Sequence, residues 1–145
     1  MAVDRVATNV WSGDLQTGSG TTTLVSSGAT DPLAVTFPSR AEEPDGCTSP
    51  EELLAAAHAS CFNMALSGAL TRTASAPERL ETTVTVTFSR DGGPHVARVV
   101  LKVRGRVPGV SAEDFVTVAQ GAKENCPLSK VMAGNVPIEL DAALA

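Results

Sequence analysis

A chain of 145 residues, 43% hydrophobic and 19% charged, has the composition of a folded soluble protein long enough to bury a core without disulfide or metal staples. Its net charge of −5 opposes a nucleic-acid partner, because affinity for phosphate backbones comes mainly from Lys and Arg. Four Phe, one Trp and no Tyr leave little aromatic surface for stacking single-stranded bases.

The length fits a single domain over residues 1–145, with no internal repeat or linker. The N-terminal stretch MAVDRVATNVWSGD has no basic segment followed by an apolar run, so no secretory signal is expected and the cytoplasm is the expected location. Three cysteines, Cys47, Cys61 and Cys126, are too few and too scattered for a secreted disulfide framework. In a reducing compartment, cysteines that do pair are more often catalytic or redox-sensing.

Residues 1–40 read as short strands around Val6–Trp11, Thr21–Ser26 and Leu33–Phe37, the first two joined by the turn-rich segment SGDLQTGSGT. Its GSG lacks the spacing and the following helix of a phosphate loop. Ser49, Pro50 and Glu52 form a capping-box start to a helix running to about Leu70, with Arg40 in the loop before it. Glu51 has no part in that box.

The segment from Leu53 to Leu70 carries no charge and is about long enough to span a bilayer. His58, Ser60, Asn63, Ser67 and many alanines make it too weakly apolar, so a buried central helix is expected and no membrane partner. Residues 80–88, LETTVTVTF, alternate as a half-buried strand, DGGP at 91–94 turns the chain, and HVARVVLKVRGRV returns as a second strand. Arg98, Lys102, Arg104 and Arg106 line its opposite face, the pattern of a solvated sheet surface.

Ser111 caps a helix that Pro127 stops, Pro127 opens a short second helix, and Val136–Leu140 forms a last strand. Strands and helices are segregated, which makes the class α+β with antiparallel sheets packed on the long central helix.

Local sequence makes Cys126, at the N-cap of the short helix, the natural thiolate, since orphan backbone N–H groups favour negative charge there. Cys61, mid-helix in apolar company, has its pKa raised by desolvation unless a cation reaches it, Arg40 being one such cation. Local sequence leaves open whether Cys61 is an inert core thiol.

The pattern PEELLAAAHASCFNMALS, followed 65 residues after its cysteine by that of AKENCPLSKV, resembles the OsmC family of the OsmC/Ohr superfamily of thiol-dependent organic hydroperoxide peroxidases. WSGDLQTGSGT and VPGVSAEDF resemble the OsmC branch, and the likeness extends over essentially the whole chain. The resemblance implies Cys61 as the peroxidatic cysteine, Cys126 as the resolving one, Arg40 as the thiolate-activating arginine and Glu51 as its carboxylate partner. It implies turnover without a cofactor: a Cys61 sulfenic acid, a Cys61–Cys126 disulfide, and recycling by a dithiol of the lipoyl type. It also implies an intertwined homodimer.

Helical geometry bears on the same point. Glu51 and Cys61 are ten residues apart, about 15 Å along one straight helix, too far to share a site within one chain. Two central helices packed antiparallel across a two-fold axis put Glu51 of one beside Cys61 of the other, with Glu51 acting in trans and Arg40 a candidate to act with it. Such a pairing also covers a helix that is apolar all round.

Two features depart from the family pattern. Ala41 stands where an aromatic usually follows the arginine, and the loop from Arg40 to Pro50 is about one residue longer and carries Cys47, which has no family role. His58, one turn before Cys61, reads first as a satisfied core histidine. The competing classes are a metal-binding module built from Cys47, His58, Cys61 and Cys126, and a small-ligand binding domain that uses the same pocket without turnover.

Overall fold

The computed structural model describes all 145 residues, which divide into two compact units, Met1–Leu53 and Leu54–Ala145. In the first unit, strands β1 (Thr8–Ser12), β2 (Ser19–Thr23) and β3 (Leu33–Thr36) form an antiparallel sheet in the order β1-β2-β3. The β1–β2 turn is organised by Asp14, whose carboxylate accepts from the backbone N–H groups of Gln16 and Thr17 and from the Thr17 hydroxyl. Gly18 closes the turn: a Cβ there would lie 2.3 Å from the Asp14 carbonyl oxygen, so no side chain fits.

Thr36 then caps a short helix, α1 (Phe37–Ala41), through reciprocal bonds with Ser39, with Pro38 in its first turn. Arg40 therefore sits in a helical turn and not in a loop. The five residues of FPSRA are too few to show helical periodicity, and the cap alone signals it. The following segment returns along β3, where Thr48 bridges to Val35 and donates its N–H to Ala34.

Helix α2 (Pro50–Thr73) is the long element and crosses the boundary between the units without a break. Its start is half of the expected capping box. Ser49 Oγ accepts from the Glu52 N–H, but the Glu52 carboxylate takes the Thr48 hydroxyl. His58, Phe62, Leu66 and Leu70, each four residues on, form one fully buried stripe. The rest departs from the expected buried helix. Only 22% of its most apolar stretch is buried by its own chain, and Met64 is 75% exposed.

In the second unit, β4 (Arg79–Ser89), β5 (His95–Arg106) and β6 (Ile138–Leu144) form the other sheet, order β4-β5-β6. Alternation holds: Leu80, Thr82, Val84, Val86 and Phe88 point inward on β4, and Val99, Leu101 and Val103 on β5. Of the basic row on the other face, Arg104 pairs with Asp141 of β6 at 2.9 Å, as a solvated face permits.

The last strand corrects the antiparallel expectation: β6 runs parallel to β5. Helices α3 (Ala112–Asn125) and α4 (Pro127–Met132) supply the long crossover that a parallel neighbour requires and a tight hairpin cannot. Phe62, Leu66 and Leu70 of α2, Leu101 and Val103 of β5, and Phe115 and Ala119 of α3 form the core.

Gly105 marks how tightly α3 lies on β5. A Cβ at that position would fall 2.5 Å from two ring atoms of the fully buried Phe115, which has no room to retreat. Gly105→Ala is expected to cost about 1–3 kcal/mol by overpacking, read as a lower midpoint in urea with an unchanged slope.

Candidate active site

Each unit brings together one cluster of the side chains that the sequence singles out. In the first, the end of α1 and the start of α2 are brought together by the return of residues 42–48 along β3. Ser39 Oγ donates to the Thr48 carbonyl and ties the two ends. Arg40 and Glu51 meet as a result. Arg40 Nε donates to both Glu51 oxygens at 3.1 Å, and Nη2 donates to Oε1 at 2.7 Å. The Glu51 side chain is 9% exposed and that of Arg40 32%, so the pair is shielded on one side and reachable on the other. Beside it opens a cavity of about 300 Å³ whose walls include Trp11, Leu15, Val35, Phe37 and Leu53.

In the second unit, the inward stripe of α2 meets α4. Cys126 is both the last cap of α3 and the first of α4. Its thiol makes no cap bond. It is fully buried and donates instead to Cys61 Sγ, 3.3 Å away. None of the three cysteines is joined in a disulfide. Burial pushes the Cys61 thiol up from its ordinary pKa, and the adjacent Cys126 thiol adds to this, while the Leu128 backbone amide acts the other way. Helix α4 therefore turns a first-turn amide toward Cys61, not toward the cysteine that precedes it. Within its own unit Cys61 is held near its partner thiol but is not activated.

One rung away, His58 Nε2 lies 2.8 Å from Ser129 Oγ, both buried, and His58 Nδ1 has no hydrogen-bond partner. Burial lowers the His58 pKa below its ordinary 6.5, so the imidazole is neutral. The unfolded chain binds a proton there below about pH 6.5 and the folded chain does not, so stability falls as pH drops through that value. Urea midpoints are expected to decline from pH 7.5 to 5.5, and His58→Gln, which cannot titrate, should flatten the decline. Ser129 escaped the sequence reading. Its signal was spacing: it follows Cys126 by three residues, as His58 precedes Cys61 by three.

Cys47 is half-buried, and its N–H closes a turn onto the Pro44 carbonyl. No group of three or more His, Cys, Asp or Glu side chains is arranged to hold a metal ion, and the metal-module alternative gains nothing from the geometry.

The sequence matches the family model described as OsmC-like protein over residues 43–141. It is 35% identical over 140 residues to peroxiredoxin OsmC of Escherichia coli (strain K12), with 96% of each chain covered. It is 34% identical over 106 residues to organic hydroperoxide resistance protein OhrA of Bacillus subtilis (strain 168), covering 72% of this chain and 73% of that protein. The crystal structure of OhrB of Bacillus subtilis superposes with a TM-score of 0.74 at 26% identity, over 94% of this chain and 97% of its own. An organic hydroperoxide resistance protein from Elizabethkingia anophelis shares the fold, with a TM-score of 0.77 over the full length of both chains. The paired cysteines, the Arg–Glu pair and these likenesses converge: the chain belongs to the OsmC-like family.

Proposed function

We propose that the protein is a cysteine-based peroxidase that reduces organic hydroperoxides to alcohols. The observation that carries this reading is the 3.3 Å contact between Cys61 and Cys126, two thiols on different elements. The Cys61 thiolate attacks the distal peroxide oxygen. The O–O bond breaks, the alkoxide takes a proton and leaves as alcohol, and Cys61 becomes a sulfenic acid. Cys126 attacks the sulfenic sulfur, an S–S bond replaces the S–O bond, and the Cys126 proton leaves with the hydroxyl as water. A dithiol, of the lipoyl type or similar, returns both thiols by exchange.

Arg40 supplies the charge that Cys61 lacks in its own unit, favouring the thiolate and the departing alkoxide. Glu51 is a positioning residue that holds the Arg40 guanidinium from two sides. The apolar cavity beside Arg40 suits the carbon portion of an alkyl or lipid hydroperoxide.

The working unit is a homodimer in which Arg40 and Glu51 of one chain serve Cys61 of the other. The ten-residue separation of Glu51 and Cys61 along the helical sequence, about 15 Å at about 1.5 Å per residue, supports this sharing. A second copy also covers the apolar faces of α2 that its own chain leaves open. Mixing an inactive Cys61→Ser chain with an inactive Arg40→Met chain tests the arrangement. Random pairing should restore roughly a quarter of wild-type peroxide reduction, because each mixed dimer rebuilds one complete site. No recovery in verified mixed dimers would overturn the shared site.

A further inference from the structure

The buried His58–Ser129 pair has no part in the chemistry above, yet it sits one helical rung from it. His58 precedes Cys61 by three residues on α2, and Ser129 follows Cys126 by three on α4. Positions three apart share a helix face, so the two facing rungs are Cys61 against Cys126 at 3.3 Å and His58 against Ser129 at 2.8 Å.

Helix α4 has six residues, and it presents Cys126, Ser129 and Met132 inward while Val131 is 74% exposed. A helix this short has little propensity of its own, and apolar contacts alone tolerate its rotation. Turning it by one residue swings a side chain by about 100° and moves it about 1.5 Å along the axis, enough to separate the thiols. A hydrogen bond has direction, and that bond survives in one register only. The other members of the α2 stripe, Phe62, Leu66 and Leu70, are apolar, so an apolar residue would serve packing at position 58 equally well. The polar choice leaves His58 Nδ1 buried without a partner, a cost that packing does not explain.

We propose that His58 and Ser129 form a register lock that holds α4 on α2 so that Cys126 faces Cys61, which makes them positioning residues for disulfide formation. The proposal rests on the peroxidase reading for its role in turnover. The lock itself is measurable without peroxide, as the effective concentration of Cys126 toward Cys61.

The test compares wild type, Ser129→Ala and the double variant His58→Leu/Ser129→Ala, each equilibrated with a series of glutathione redox buffers. Ser129→Ala leaves a buried imidazole unsatisfied and loses stability. The double variant removes the polar pair altogether and recovers it. The lock predicts that both variants nonetheless lose about tenfold in effective concentration, a rise of about 30 mV in the potential of the Cys61–Cys126 disulfide. In single turnovers with an alkyl hydroperoxide, the sulfenic acid should then persist long enough for dimedone to trap it.

A double variant that keeps the wild-type potential and the wild-type rate of disulfide formation would overturn the proposal, leaving the pair a matter of packing. A double variant that cannot fold would overturn it equally, because the fold itself would then require the pair. If wild type consumes no hydroperoxide, the peroxidase reading fails while the potentials still decide the lock.

Discussion

Replacing Cys61 by Ser is expected to lower kcat/KM for an alkyl hydroperoxide by on the order of 10³-fold or more. The sulfur is the atom that accepts oxygen, and a hydroxyl of nearly the same size neither ionises near neutral pH nor forms a sulfenic acid. The fold should barely register the change, because Cys61 is half-buried and its contacts are those of a small side chain. Activity and melting temperature are thus expected to separate cleanly. Cys126→Ser should behave differently: it removes the resolving thiol, so Cys61 is left as sulfenic acid and is driven by excess peroxide to sulfinic acid. A Cys61→Ser protein that still reduces hydroperoxide at a comparable rate would contradict the assignment.

The second large effect belongs to Arg40. Arg40→Met strands the Glu51 carboxylate, 9% exposed, without its charge partner. Breaking a buried pair on one side costs about 3–5 kcal/mol, and the one-third exposure of Arg40 reduces this to about 2–3. Peroxide reduction should fall by about 10²–10³-fold, the usual loss when a preorganised donor to a developing oxyanion is removed. The double variant Arg40→Met/Glu51→Gln distinguishes the two roles. It neutralises the stranded charge and should regain most of the stability without regaining activity. Recovery of both together would mean that Arg40 acts only by supporting the fold.

Both predictions concern residues that local sequence already singled out. SPEE announces the start of α2, and CPLS the start of α4, because a Pro at the first helical position leaves little room for another reading. The strand pair β4–β5 was equally plain from its alternation around DGGP. What escaped depended on partners distant in sequence. VPIEL has the pattern of a strand in either direction, and only the α3–α4 crossover makes β6 parallel to β5. Arg40 lies in a helix of five residues, below the length at which periodicity speaks.

Cys126 is the most instructive case. Its N-cap position promised an activated thiolate, but the thiol turns away from the helix it caps and toward Cys61, and the Leu128 amide acts on Cys61 instead. A cap position describes the backbone and leaves the side chain free to be claimed by whatever packs against it. Ser129 was invisible for the same reason: its importance lies in facing His58, 71 residues away.

Helix α2 shows the limit of a composition argument. It is apolar enough to be read as buried, and its own chain buries one stripe of it. The remaining faces are the part of the sequence pattern that a second copy would satisfy.

The central claim is that Cys61 and Cys126 act together on a hydroperoxide, and counting thiols tests it most directly. Fully reduced, metal-free protein is titrated before and after one equivalent of an alkyl hydroperoxide. The account predicts that two of the three thiols per chain disappear within seconds, that Cys47 remains, and that Cys61→Ser loses none. Three thiols still present after the peroxide would contradict it.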